Sequence, residues 1–182
     1  HTVNLPASIA SGDLLVLGFA DSLGTGTTIT WPAGYTEIGT KNDNGTGTGL
    51  SLAYRIANGT EGASITVTTS GSTKAAHVSY RITGWHGTTV PEKGTAATGS
   101  GTAWDPPTLS PSWGAADALW LEFGCQGSNG TVTAPSTNYA TLLTNGTTGG
   151  SAVTNARLGS YRRNLNATSD DPDNAFTVSV ST

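Results

Sequence analysis

The sequence predicts an all-β protein, a jelly-roll-like β-sandwich of about ten strands formed from two sequence-related halves. Three observations predict it. Thr, Ser, Gly and Asn, all poor helix-interior residues, dominate the composition. Apolar residues recur with a period of two, bounded by Gly, Pro and Asn-Gly clusters. The order of these segments in the first half returns in the second.

The elements follow in order. Residues 14–20 form an apolar run with period two. Residues 50–56 alternate Leu50, Leu52, Tyr54 and Ile56 on one face. In residues 65–69, Ile65 and Val67 oppose Thr66 and Thr68. In residues 76–82, Val78, Tyr80 and Ile82 oppose His77, Ser79 and Arg81. Such strands place one face in a core and the other in water. No helical apolar spacing persists beyond one turn.

The repeat has a spacing of about 104 residues. Gly12–Phe19 matches Ala116–Phe123, so that Leu15, Leu17 and Phe19 fall on Leu119, Leu121 and Phe123. Pro32–Tyr35 answers Pro135–Tyr139, and Asn44-Gly45-Thr46 answers Asn145-Gly146-Thr147. Tyr54-Arg55 answers Tyr161-Arg162, Asn58–Thr60 answers Asn166–Thr168, and Ile65–Thr68 answers Phe176–Ser179. The halves could form two small sandwiches or one shared one; the expected organisation is a single shared domain over residues 1–182, since one sandwich buries both apolar faces against each other. The first half is 1–85, a Gly-, Thr- and Pro-rich crossover is 86–107, and the second half is 108–182. The counterpart of strand 76–82 would fall near position 187, about 111 residues on, so the second half is one strand short. Three remedies are open. The polypeptide continues past Thr182, a neighbouring subunit donates a strand to the open edge, or residues 2–5 fill the place.

Charged residues are only 11% of the chain and hydrophobic ones 35%, unlike a charged disordered tail. The net charge is −4 and the eight Lys and Arg form no stripe, so nucleic acid is not an expected partner. No apolar run approaches the roughly 20 residues of a membrane-spanning helix. Cys125 stands alone, which excludes an internal disulfide, and its strand-like setting reads as a small buried hydrophobe. The chain begins with His1, contains no Met and shows no signal-peptide pattern, which reads as a processed chain or part of a longer one.

Few residues suggest chemistry, and no catalytic, cofactor or metal site is expected. His1, His77 and His86 lack the spacing of metal ligands. No Gly-x-Ser-x-Gly elbow or phosphate loop is present. Asp13 and Asp117 precede matched strands and read as turn-binding carboxylates rather than a glycosidase pair. Ser169–Asn174 is the one acidic cluster; it reads as a solvated loop, with Ca²⁺ at Asp170–Asp173 as the other reading. The Asn-x-Ser/Thr sequences at Asn44, Asn58, Asn129, Asn145 and Asn166 are explained by turn chemistry. Trp85, His86, Trp104 and Trp113 flank the crossover and are the candidate interaction residues.

One series of motifs carries a resemblance. It runs His1–Pro6, Ser11–Leu15, Trp31–Thr36, Ala53–Gly62 and Ile65–Thr68. It resembles a family of β-rich proteins of tailed bacteriophages and prophages, over essentially the whole chain. The resemblance implies a non-enzymatic virion structural protein, a capsid decoration protein or a tail or fibre module. Its implied partners are other virion proteins and copies of itself, and its place is the extracellular particle. It also implies one more apolar strand beyond Thr182. The competing class is a carbohydrate-binding module or adhesin that uses the loop aromatics on a host surface glycan.

Overall fold

The computed structural model describes residues 1–45, 47–99, 102–127, 130–146, 155–172 and 176–179. The first half begins with Thr2–Asn4 (β1) and the long Leu14–Asp21 (β2). A single 3-10 turn at Gly24–Gly26 precedes Ile29–Thr30 (β3), Thr36–Glu37 (β4), Asn42–Asn44 (β5) and Thr48–Ile56 (β6). Ser64–Thr66 (β7), Thr68–Thr69 (β8) and Ala75–Ile82 (β9) complete it. The second half holds Ala103–Trp104 (β10), Ala116–Gln126 (β11), Val132–Ala134 (β12), Ala140–Gly146 (β13), Arg157–Ala167 (β14) and Phe176–Val178 (β15). The fold is all-β, and the expected long strands are present. The region read as a crossover contains β10.

Two main sheets form the middle of a four-layer stack. One has the order β4-β6-β2-β9, with β5 also on β6; the other has the order β11-β14-β13. The ladders are antiparallel. Leu15, Leu17 and Phe19 point from β2 into a core with Val3 and Val67, under the β1-β7 and β3-β8 ladders. Leu14, Val16 and Ala20 point the other way and meet Val78, Tyr80, Leu121, Phe123 and Leu158 between the main sheets. Trp120 and Tyr161 enter a third core with Val132 and Tyr139, beneath the sheet β10-β15-β12. Each sheet takes its strands from one half, so the halves join by packing and not by strand exchange.

Residues 65–68 keep the expected water-facing side, with Thr66 and Thr68 exposed, but in β2 and β9 it is replaced by cover on both sides. Every residue of β2 is buried, because a layer lies against each face. The polar face of β9 is covered by β1: Ser79 Oγ donates to the Asn4 carbonyl, and Asn4 N–H donates to His77 Nε2. That burial holds the His77 pKa below its ordinary value. At Gly18 the halves come close enough to leave no room for a side chain. A Cβ there would lie 2.9 Å from Phe123 and 3.3 Å from Leu158.

The duplication is visible in the pairing, with one correction. The β1-β7 ladder has its counterpart in β10-β15, and β2-β6 has its counterpart in β11-β14. Tyr35 N–H bonds the Pro32 carbonyl, and Tyr139 N–H bonds the Ser136 carbonyl. Gly34 (φ 86°) and Asn138 (φ 68°) hold the same left-handed position in those turns. Arg55 lies over the Tyr35 ring at 5.6 Å, and Arg163 over Tyr139 at 5.4 Å. Arg55 therefore corresponds to Arg163 rather than Arg162. Leu15 and Leu17 correspond to Trp120 and Glu122 rather than Leu119 and Leu121. A slip of one residue exchanges the two faces of a strand, so the sequence match put the wrong side of β11 into the local core.

The strand expected to be missing maps to one sheet edge among the described residues. β2 is paired on both sides, by β6 and β9, whereas β11 is paired only with β14 among the described residues. Among the described residues the open edge is on β11, while β15 is paired on both sides, by β10 and β12. Residues 2–5 do not fill it, because β1 pairs with β7.

Candidate functional site

The main concavity is a partly open apolar cavity of about 640 Å³ between the two main sheets. Leu14, Val16, Leu50, Leu52, Ile38 and Ile82 line it from the first half. Ala116–Phe123 line it from β11, and crossover residues Val90–Gly94 form another wall. Leu50 and Leu52 are only partly buried where they face this cavity.

Three of the four candidate interaction residues reach this cavity. Trp85 is half-buried, packs on the inter-sheet core and donates its indole N–H to the Gly12 carbonyl at 2.7 Å. His86 is exposed, with Nδ1 held 3.0 Å from both Thr88 Oγ1 and Thr89 Oγ1. Trp113 is 37% exposed at the wall. Trp104 is elsewhere: it sits on β10, half-buried against the second-half core. The four do not form one platform.

A polar corner closes one end, and the sequence reading did not single it out. Tyr139 Oη donates to Asp170 Oδ2 at 2.6 Å, and Arg163 Nη1 pairs with Asp170 Oδ1 at 3.2 Å. Desolvation, followed by the hydrogen bond to Asp170, pushes the Tyr139 phenol well above its usual pKa. The first half carries a related set in Tyr35, Arg55 and Glu61, with Arg55 Nε 3.1 Å from Glu61 Oε1, but Tyr35 Oη has no hydrogen-bond partner among the described residues. Asp170 is thus a core ion-pair partner rather than part of a solvated loop, because burial demands a cation beside the carboxylate. Asp171 accepts from Thr108 Oγ1, while Asp173 and Asn174 lie outside the described residues. Among the described residues no group of three or more His, Cys, Asp or Glu is placed to hold a metal.

Glu122 is the unusual member of the corner. It is 3% exposed and takes a core position equivalent to Leu17. Its Oε1 is 3.4 Å from Ser136 N, while Oε2 has no hydrogen-bond partner among the described residues. Burial raises its pKa above the usual glutamate value. A folded-state pKa above the unfolded one means that this contribution to stability is full below about pH 4.5 and is lost as pH rises through the raised pKa. Glu122→Leu is expected to stabilise the protein by about 1–3 kcal/mol at neutral pH and to remove that pH dependence. Urea unfolding of both proteins over a pH series measures it.

The remaining chemical candidates are satisfied locally. Asp13 accepts the Ala10 N–H at 2.7 Å and pairs with Arg81, and both interactions lower its pKa. Asp117 Oδ1 accepts from Asn166 Nδ2 at 2.8 Å, so the two aspartates serve separate partners. Asn58 Oδ1 caps its own turn by accepting from Thr60 N and Oγ1. Asn129 lies outside the described residues. Burial pushes the Cys125 thiol up to about 12, so it is not a thiolate at neutral pH. No described helix is long and apolar enough to cross a membrane. No family model, curated protein or solved structure matches the chain.

Proposed function

We propose that this chain is a non-enzymatic structural protein of a phage particle, on the capsid surface as a decoration protein or in the tail or fibre. The observation that carries the reading is where the family-like motifs fall. They coincide with framework rather than with a reactive site. Gly12 and Gly34 take left-handed turns, Val3 and Val67 fill the first-half core, and Arg55–Glu61 is a largely buried ion pair. The layered β architecture and the low charge suit a durable surface component. Its partners in this reading are other virion proteins and further copies of itself, each held by a modest, repeated interface.

Electron cryo-microscopy of the particles encoded with this chain tests the proposal. The expected result is density for the fold in symmetric copies on the capsid or tail, and its position assigns the location. Purified particles that lack the chain altogether would overturn the reading. A second reading, a glycan-binding module, draws on Trp85, His86 and Trp113 lining one cavity. It requires that Trp113→Ala abolish glycan retention while leaving the fold intact.

A further inference from the structure

We propose that the edge of β11 left unpaired among the described residues is the docking site for an extended strand of a separate partner polypeptide with the alternating pattern of β9. Three independent observations converge on it. The first is the internal repeat. β2 is flanked by β6 and β9, while its counterpart β11 is flanked only by β14 among the described residues. One alternate set of β11 N–H and C=O groups therefore points away from β14 with no described strand to receive it.

The second is the cavity. Consecutive residues from Ala116 to Phe123 line it, so it runs along the strand edge and not over one face. The third is the packing of the sheets across each other. β9 lies against β13 of the opposite half. A strand beyond β11 lies in the mirrored position, against the β4–β6 end of the first-half sheet. Leu50 and Leu52, only partly buried, line the cavity there. The incoming strand supplies the cover for this apolar surface that β9 supplies on the other side.

The register follows from the correspondence of Leu15 with Trp120. β9 runs antiparallel to β2, with Val78 opposite Gly18 and Tyr80 opposite Val16. The docked strand runs antiparallel to β11, with its apolar residues opposite Leu121 and Phe123. Residues directly opposite in an antiparallel pair share a face, so these side chains enter the inter-sheet core. The alternate residues take the face of Trp120 and Glu122. Main-chain pairing gives affinity, and the alternating apolar contacts set register and direction. The site does not depend on the particle reading.

A synthetic peptide with the sequence of residues 73–83 is the probe, titrated into the full 182-residue protein. Amide hydrogen exchange is followed residue by residue. The expected result is that exchange at the outward-facing amides of β11 slows by about tenfold or more, with β2 unchanged. A peptide with Val78→Asp and Tyr80→Asp has no effect. A second measurement raises the effective concentration by appending residues 70–83 after Thr182. It is expected to raise Tm and protect the same β11 amides. Absence of protection with both the peptide and the appended strand overturns the proposal. So does protection of β11 that rises with protein concentration without peptide, which makes a second copy the occupant. Protection by the doubly substituted peptide also overturns it, since the alternating side chains then play no part.

Discussion

Lys41→Ala is expected to lower folding stability by about 3–5 kcal/mol. Lys41 Nζ lies 2.9 Å from both Asp21 Oδ2 and Asp43 Oδ1, and it donates to the Gly24 and Thr27 carbonyls at 2.6 Å. Asp21 is wholly buried at the end of β2, where its Oδ1 also accepts the Leu23 and Gly24 N–H groups. Desolvation works against the charged lysine, but the hydrogen bonds to Asp21 and Asp43 outweigh it and raise its pKa. The raised value keeps the pairing intact up to the usual lysine pKa and releases it only as pH climbs through the higher one. Removing the ammonium leaves Asp21 charged and unpaired in the interior, which costs more than the pair ever contributed. Asp21→Asn in the Lys41→Ala background should recover much of the loss. Urea denaturation midpoints of the three proteins check this. Equal stability of Lys41→Ala and the parent would show that Asp21 is solvated after all.

Phe19→Ala is expected to cost a similar amount, about 3–5 kcal/mol. Phe19 has no exposed surface. Its ring meets the His1 imidazole edge-on at 5.4 Å and the Trp31 indole at 6.3 Å. Val3, Leu17 and Val67 complete the enclosure. The surrounding β-ladders resist collapse into the space, so the cavity term adds to the lost transfer free energy. Phe123→Ala is expected to cost less, although the sequence repeat matches the two phenylalanines. Phe123 is half-buried on the opposite side of its sheet, borders an existing cavity and has Tyr80 as its edge-on partner at 6.1 Å. Thermal unfolding of both variants compares them directly. Equal losses would contradict the face assignment of β11.

That pair of phenylalanines also shows what the sequence hides. Period-two alternation in residues 14–20 and 76–82 located strands to within a residue of their observed limits, because alternation is a local consequence of the pleat. Which face meets which layer is not local. Leu14 and Leu15 are equally apolar, and only a covering layer on each side explains why both are buried. Glu122 was passed over for the same reason. In the slipped alignment it fell opposite Gly18, on the less informative side of the strand. The structure puts it where Leu17 stands, inside a core. Asp170 in the acidic loop is hidden from the sequence in the same way, while Asp171 is exposed as expected. Asp170 looks like one of several solvated carboxylates until Arg163 and Tyr139 are brought to it from β14 and from the turn before β13. Trp85, His86 and Trp113 were legible as loop aromatics or polar groups, but their common cavity was not, and Trp104 proved to belong to the second-half core.

The sequence by itself determined the strand content and the duplication. Those properties reside in local pattern and in order along the chain. Only the tertiary structure decided that the halves stack as four layers, that the equivalence of β2 and β11 is shifted by one residue, and that the open edge belongs to β11 beside an apolar cavity. Side chains on a strand alternate every residue, so a shift too small to disturb a sequence match reverses every contact the strand makes.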